Sequence, residues 1–285
     1  MSASQPAPPA YRVRGPAAVE GSWRRFAHLV RTLAVTDWKL RFFGSALGYV
    51  WSLLRPLLLF GILYGVFSQI VPIGEGVEFY PVLLLVGVVI FNYFGEVTGG
   101  AVSSMVDRET LVRKIAFPRM VIPLSVAMTA SLNLLLNLVV VAGFVLASGI
   151  GFRWTWLLLP LPLLALGLLA TGIGMLLAAL YVPFRDVRPI WEVVLQGLFY
   201  ATPVIYPIEL LAERNATLAQ IAMANPLAAI IQETRHLLLG PSAPSAIEAV
   251  GGGAAVLWPA SILVACALVG FYVFNRMAPQ AAEQL

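Results

Sequence analysis

The sequence predicts an all-α integral membrane protein with six transmembrane helices. An N-terminal amphipathic interface helix precedes them, and short re-entrant helices come before the last span. Three observations carry this. Apolar residues make up 60% of 285 positions and charged residues only 11%, against roughly 25% charged in soluble domains. Uncharged runs recur at or beyond the ~20 residues that a helix needs to cross a ~30 Å bilayer core. The basic residues gather on one side of those runs. A mean hydropathy of +0.87 points the same way, and Cys266 is the only cysteine. Composition therefore excludes a soluble enzyme, a disordered chain and a disulfide scaffold.

Residues 1–22, rich in Ala, Pro and Ser, read as a flexible cytoplasmic tail without a signal peptide. Residues 23–48 read as the interface helix and its lead-in. Trp23, Phe26, Leu29, Val30 and Leu33 fall at helical spacing, with Arg24, Arg25, His28 and Arg31 on other faces. Such a basic amphipathic helix lies in the interface plane, and Lys39, Arg41, Phe42 and Phe43 extend it towards the bilayer. The membrane domain is 49–278, with spans at about 50–71, 81–102, 120–148, 155–181, 189–206 and 254–276. The third is clearest, since Met120 to Phe152 runs 33 residues without a charge. The fifth is shortest: Val193 to Ile208 gives 16 uncharged residues, and Arg188 to Glu192 must supply its first turn. Gly61-x-x-x-Gly65 and Gly95-x-x-x-Gly99 permit close helix approach, within the chain or to a second copy.

After Tyr200 the pattern breaks at Pro203, Pro207 and Pro226, leaving apolar pieces too short to span. Region 207–240 reads as re-entrant helices, with surface helices on an outer loop as the alternative. With six spans, 15 of 18 cations share one compartment, which the positive-inside rule makes cytoplasmic. Both termini lie there too.

Chemistry-bearing groups are few. No G-x-x-x-x-G-K-[ST] loop is present, and Gly167, Gly172 and Gly174 read as packing glycines. His28 and His236 fall on opposite sides, so no metal pair forms within one chain. Glu96 is the one acid inside a span, about 9 Å from its cytoplasmic end at ~1.5 Å per residue. It serves either a structural hydrogen bond or ion transport. The cations of 23–43 serve as a lipid anchor, as a receptor for a phosphate-bearing lipid, or both. The loop 107–118 is either an ordinary topology-setting loop or a docking helix with Leu111 and Ile115 on one face. Tyr49, Trp51, Phe91, Tyr93, Phe94, Phe199 and Tyr200 read as an interfacial belt, or as flat faces on which sugars stack.

These segments resemble the permease subunit of ABC-2-type transporters, in the polysaccharide-exporter branch that handles O-antigen, teichoic acid and capsule. The resemblance rests on Gly44-Ser45-Ala46-Leu47-Gly48-Tyr49-Val50-Trp51-Ser52-Leu53-Leu54-Arg55-Pro56-Leu57 and Val112-Arg113-Lys114-Ile115-Ala116-Phe117-Pro118-Arg119. Arg185-Asp186-Val187, Thr202-Pro203-Val204-Ile205-Tyr206-Pro207 and Asn225-Pro226-Leu227 follow in order. The resemblance implies a homodimer in the bacterial plasma membrane with two cytosolic ATPase subunits. ATP and Mg would be bound by those subunits, with no cofactor, metal or catalytic residue in this chain. Asp107, Glu109, Leu111, Arg113, Lys114, Ile115, Phe117 and Pro118 become the coupling helix to the ATPase. Arg24, Arg25, Arg31, Lys39 and Arg41 face the lipid-head path, and the seven aromatics become candidates for a tunnel. The implied substrate is a lipid-linked glycan, with membrane lipids as further partners and no nucleic acid. Export of a small lipophilic compound and ion-coupled transport are the competing readings.

Overall fold

The computed structural model describes residues 23–43, 48, 50–71, 73, 76–114 and 117–284, which form helices joined by short turns. The expected tail 1–22, Tyr49 and Ile115 lie outside them. The interface segment forms α1 (Trp23–Phe42). The first span is α2 (Val50–Gly65), extended by a π-helical turn over Val66–Ile70. Then come α3 (Tyr80–Asp107), α4 (Glu109–Lys114), α5 (Val121–Ala147) and α6 (Pro160–Tyr181), the last led in by a 3-10 turn over Trp154–Leu158. The remainder is α7 (Val187–Ala201), α8 (Ile208–Arg214), α9 (Ala216–Ala224), α10 (Pro226–Leu239), α11 (Ala246–Val250) and α12 (Leu257–Gln284).

Prolines and amides set many of the boundaries. Proline has no N–H to leave unpaired in a first turn, and α3, α6 and α10 all carry one there. Asn225 caps α10 by accepting from Leu227 N at 3.0 Å, and Asn215 caps α9 by accepting from Leu218 N at 3.2 Å. Ser245 and Glu248 form a reciprocal capping box on α11. The prolines that break the apolar pattern after Tyr200 thus start helices as well as end them.

The core is built around α3. Leu84, Leu85, Ile90, Phe94 and Val97 point in different directions, and all are buried because α2, α5, α6, α7 and α10 surround them. A helix apolar on every side is the kind that gets enclosed. On the far flank α6 and α12 meet at glycines. A Cβ on Gly172 would stand 2.6 Å from the Ala267 Cα, and one on Gly270 would strike the Gly172 carbonyl. Gly174 faces Ala101 in the same way, at 3.0 Å, while Gly167 meets only the Tyr93 hydroxyl at an ordinary 3.5 Å. The GxxxG glycines behave differently: a Cβ on Gly61, Gly65, Gly95 or Gly99 meets nothing within 4 Å.

Among the described residues, five helical stretches are long and apolar enough to cross a membrane: Val50–Ile70, Tyr80–Asp107, Val121–Ala147, Trp154–Tyr181 and Leu257–Ala278. The expected fifth span appears as α7, whose 15 residues cover about 22 Å at ~1.5 Å each. It runs antiparallel to α3. Trp191 packs near Phe94, Phe199 against Phe91, and beyond the helix the Tyr80 hydroxyl reaches the Ile205 carbonyl at 2.9 Å. The helix plus its exit turn therefore follows α3 to its first residue.

Candidate functional site

Polar chemistry concentrates where α1, α3 and α5 converge. Glu96 of α3 accepts from Arg41 at the end of α1 and, at 2.7 Å, from Asn133 Nδ2 of α5. Trp38 Nε1 donates to Asn133 Oδ1 at 2.8 Å, and Asn137 Nδ2 to the Asn133 carbonyl at 2.8 Å. The acid inside a span is thus satisfied by an ion pair and an amide. It also lies deeper than its distance from Val102 implies, because α3 continues to Asp107.

A second pair sits at the C-terminal end of α3. Arg108, its C-cap, pairs with Asp37 of α1 and donates to Ser125 Oγ at 3.0 Å. So α1 offers an acid and a base one turn apart, and α3 answers with a base and an acid. Thr129 donates to the carbonyl of fully buried Ala34 at 3.2 Å. Ala34 meets Thr129 and Trp38 meets Asn133, equal four-residue steps, so α1 runs beside α5 in the same direction. Of the expected lipid-head cations, Arg24, Arg25, Arg31 and Lys39 are exposed, whereas Arg41 is engaged by Glu96.

Above these pairs a cavity of about 600 Å³ opens between α2, α3, α5 and α7, lined by Trp51, Ser52, Arg55, Asn92, Glu96 and Asn137 among others. A smaller cavity of about 230 Å³ lies between the two ion pairs, beside Ser104 and Thr129. Such walls offer hydrogen bonds to a polar guest inside an otherwise apolar bundle. Among the described residues no three His, Cys, Asp or Glu side chains gather to hold a metal.

The segment expected to couple to an ATPase is tied down at both ends. Asp107 accepts from Ser103 at 2.7 Å, and Glu109 opens the six-residue α4, which carries Leu111, Arg113 and Lys114. Beyond it Phe117 packs against the cluster of Met105, Ile122 and Phe274, while Arg119 donates to the Ala278 carbonyl of α12. Pro118 begins the turn into α5. One end therefore grips α1 and α5 through Arg108, and the other grips α12.

The aromatics divide. Trp51, Phe91 and Tyr93 line the large cavity, with Tyr93 held by Ser131 at 3.1 Å. Phe94 does not: it is 2% exposed and packs between Phe91 and Trp191. It fills the core because α7 covers that side of α3. Phe199 is half-buried and Tyr200 is 68% exposed. Phe152, Trp154 and Trp258, all exposed, mark the loop-side ends of α5, α6 and α12. These supply an aromatic belt that the tunnel candidates do not include.

Region 207–240 grips the N-terminal end of α3. Fully buried Arg235 of α10 donates to the carbonyls of Leu83, Pro203 and Val204 at 3.1, 2.7 and 2.8 Å. Gly87 leaves the room it needs, since a Cβ there would lie 2.8 Å from the guanidinium. Asn225 donates to Thr202 at 3.0 Å. Asn92, Asn133, Asn137, Asp37, Arg108 and Arg235 were not singled out by sequence reasoning. The available signal was polar residues placed inside apolar runs, with Asn133 and Asn137 one turn apart.

Comparison with known proteins now bears on this geometry. Over 253 residues the chain is 28% identical to the O-antigen export system permease protein RfbA of Klebsiella pneumoniae, covering 87% of this chain and 92% of that protein. A Myxococcus xanthus protein of the same name is 28% identical over 240 residues, covering 83% and 91%. The polysialic acid transport protein KpsM of Escherichia coli is 24% identical over 217 residues, covering 74% and 81%. The family model described as ABC-2 type transporter matches residues 28–239, from α1 to the end of α10. The chain belongs to the ABC-2 type transporter family.

Proposed function

We propose that this chain is the permease subunit of an ATP-driven exporter that moves a lipid-linked polysaccharide, O-antigen or teichoic-acid-like, across the bacterial plasma membrane. The observation that carries the reading is its near full-length similarity to O-antigen export permeases. The polar cavity within an apolar bundle gives such a substrate somewhere to be recognised.

Two copies would enclose a tunnel, and two separate ATPase subunits would hydrolyse ATP, this chain carrying no catalytic site. Both termini and α4 face the cytoplasm, with α7 as the sixth crossing. Residues 107–118 receive the ATPase's closing motion. Arg108 passes it to Asp37 of α1, and Phe117 and Arg119 pass it to α12. Displacing α1 works on Arg41 and Glu96, at the floor of the large cavity. The exposed cations Arg24, Arg25, Arg31 and Lys39 hold α1 to anionic lipid. Trp51, Phe91 and Tyr93 offer flat faces to the sugar, and α8 to α10 act as the outer gate. The Glu96–Arg41 pair disfavours the ion-coupled reading, since that carboxylate is already neutralised.

Depletion of this protein should cause a lipid-linked glycan to accumulate on the inner leaflet, detectable by mass spectrometry of extracted lipids. A stable complex with an ABC ATPase should co-purify, and the permease alone should show no ATP hydrolysis. Normal glycan export after depletion would defeat the reading.

A further inference from the structure

We infer that Arg55 and Asn92 form the seat for the phosphate of the lipid-linked substrate. This rests on the export reading above but assigns the phosphate to different residues from the interface cations. Arg55 lies in the sixth position of the first crossing helix. It makes no hydrogen bond or ion pair among the described residues, and its side chain lines the large cavity. An ionisable residue within a span marks a substrate or ion path by default. Asn92, on the opposite wall, has a buried Nδ2 with no hydrogen-bond partner. Buried amide donors are normally satisfied, so this one also awaits an acceptor.

The charge balance chooses the guest. Cavity-lining ionisable side chains are Arg41, Arg55 and Glu96, and Arg41 is neutralised by Glu96. One positive charge is left over, on a guanidinium whose fork matches phosphate oxygens. The shape of α2 then chooses a lipid phosphate over free phosphate. Trp51, Arg55, Leu58 and Ile62 are all exposed and follow at i, i+4, i+7 and i+11. That is one helix face, on which Leu58 and Ile62 continue from the cation as an open apolar track. A phosphate at Arg55 thus leaves its polyprenyl tail along α2 in the bilayer, while the sugar enters the cavity beside Trp51 and Asn137.

The test is native mass spectrometry of the full-length protein, titrated with decaprenyl phosphate, decaprenol, inorganic phosphate and phosphatidylglycerol. Decaprenyl phosphate should bind saturably and at least about tenfold more tightly than the other three, a gap of about 1.4 kcal/mol. Arg55→Gln should lose about tenfold, Arg55→Lys should recover most of that, and Asn92→Leu should lose part. Arg31→Gln and Lys39→Gln should bind as wild type. Removing an unpaired charge from a membrane helix should leave Tm unchanged or raised, which separates lost binding from lost folding. Wild-type affinity in Arg55→Gln, or binding of inorganic phosphate, or of phosphatidylglycerol in a manner lost in Arg55→Gln, as tight as that of decaprenyl phosphate, overturns the seat. Absence of decaprenyl phosphate binding in the wild type overturns it as well. The depletion assay is independent: if lipid-linked glycan still accumulates there, export stands and only the seat falls.

Discussion

Arg235 shows how far a single residue can organise an end of this protein. A charge removed from water is costly unless it is fully hydrogen-bonded, and here three carbonyls from two separate segments meet that need. Arg235→Met would leave the Pro203 and Val204 carbonyls unpaired, at about 1–3 kcal/mol for each buried group, so Tm in detergent should fall sharply. Arg235→Lys should recover part, since an ammonium reaches fewer of the three. Gly87→Ala should cost about 1–3 kcal/mol by overpacking, since its Cβ would strike both the Val204 carbonyl and the guanidinium, and only part of that cost should be relieved in the Arg235→Met background. Additive losses would argue against their contact. Glu96 invites a different measurement. If it is structural, a cycle of Glu96→Gln with Arg41→Gln should give a coupling of about 1 kcal/mol for this partly exposed pair, with transport reduced but not abolished. Complete loss of transport in Glu96→Gln at normal Tm would instead favour ion coupling. The sequence showed Glu96 as an acid in an apolar run, while Asn92, Asn133 and Asn137 stood in such runs without being singled out. It could not show which helix faces meet, and so could not bring Arg41 or Asp37 to them.

At the scale of elements, the crossed charges of α1 and α3 set a register. Asp37 with Arg108 and Arg41 with Glu96 are both met in only one alignment of the two helices, and a slip would leave unpaired charge near the membrane. Asp37→Arg and Arg108→Asp should each weaken export and lower Tm, and the double exchange should restore most of both. If the double variant is no better than either single one, the pair does not link the docking segment to α1. A smaller effect belongs to α11, where hydrogen bonds from the Ser245 backbone and side chain hold the Glu248 carboxyl below its ordinary range. A depressed carboxyl stabilises the fold above its unfolded pKa, and that contribution disappears as pH falls through the folded value. Amide exchange in 246–250 should therefore quicken in acid; Ser245→Ala, which keeps the backbone donor, should weaken this dependence, and Glu248→Gln should remove it. The helices themselves were legible because each long apolar run is one, bounded by prolines and charges. What covers them was not: α3 and α12 have similar hydropathies, 1.8 and 2.1, yet 72% and 17% of their windows are buried. Hydropathy reports exclusion from water, and lipid and protein both satisfy it. The interface helix was legible as amphipathic, but its packed stripe of Ala34, Asp37, Trp38 and Arg41 was not, because that stripe is polar and finds polar partners.

For the whole molecule, the question is which outer faces meet lipid and which meet a second copy. The outward side chains of α6 and α12 include Leu161, Leu164, Leu168, Ile262 and Leu268, all exposed and apolar, and they suit acyl chains. The outward faces of α2 and α7 differ. Exposed on them are Arg55, Gln196 and Gly197, and hydrocarbon offers an amide or a guanidinium no hydrogen bond. Only 11% of the α2 window is buried, no residue of α7 is buried, and Gly61 and Gly65 meet no neighbour within the chain. A two-fold dimer that faces α7 towards its own copy would cover Gln196 and Gly197 or open them to a water-filled tunnel, and would leave the Leu58 and Ile62 track of α2 to lipid. In such an isologous contact, positions near the axis meet themselves. In a Cys266→Ala background, single cysteines at Val193 or Gln196 should therefore give cross-linked dimers with a bifunctional thiol reagent in native membranes. Cysteines at Leu164 or Leu268 should stay monomeric. If ATP-driven motion is delivered to such a tunnel, adding a non-hydrolysable nucleotide to a complex with the ATPase should change the yield at the first set and not at the second. Equal cross-linking at both sets would place the partner elsewhere, and cross-linking at Leu164 and Leu268 alone would turn the molecule around, with α6 and α12 at the interface and the polar faces of α2 and α7 left to line a pore within one copy.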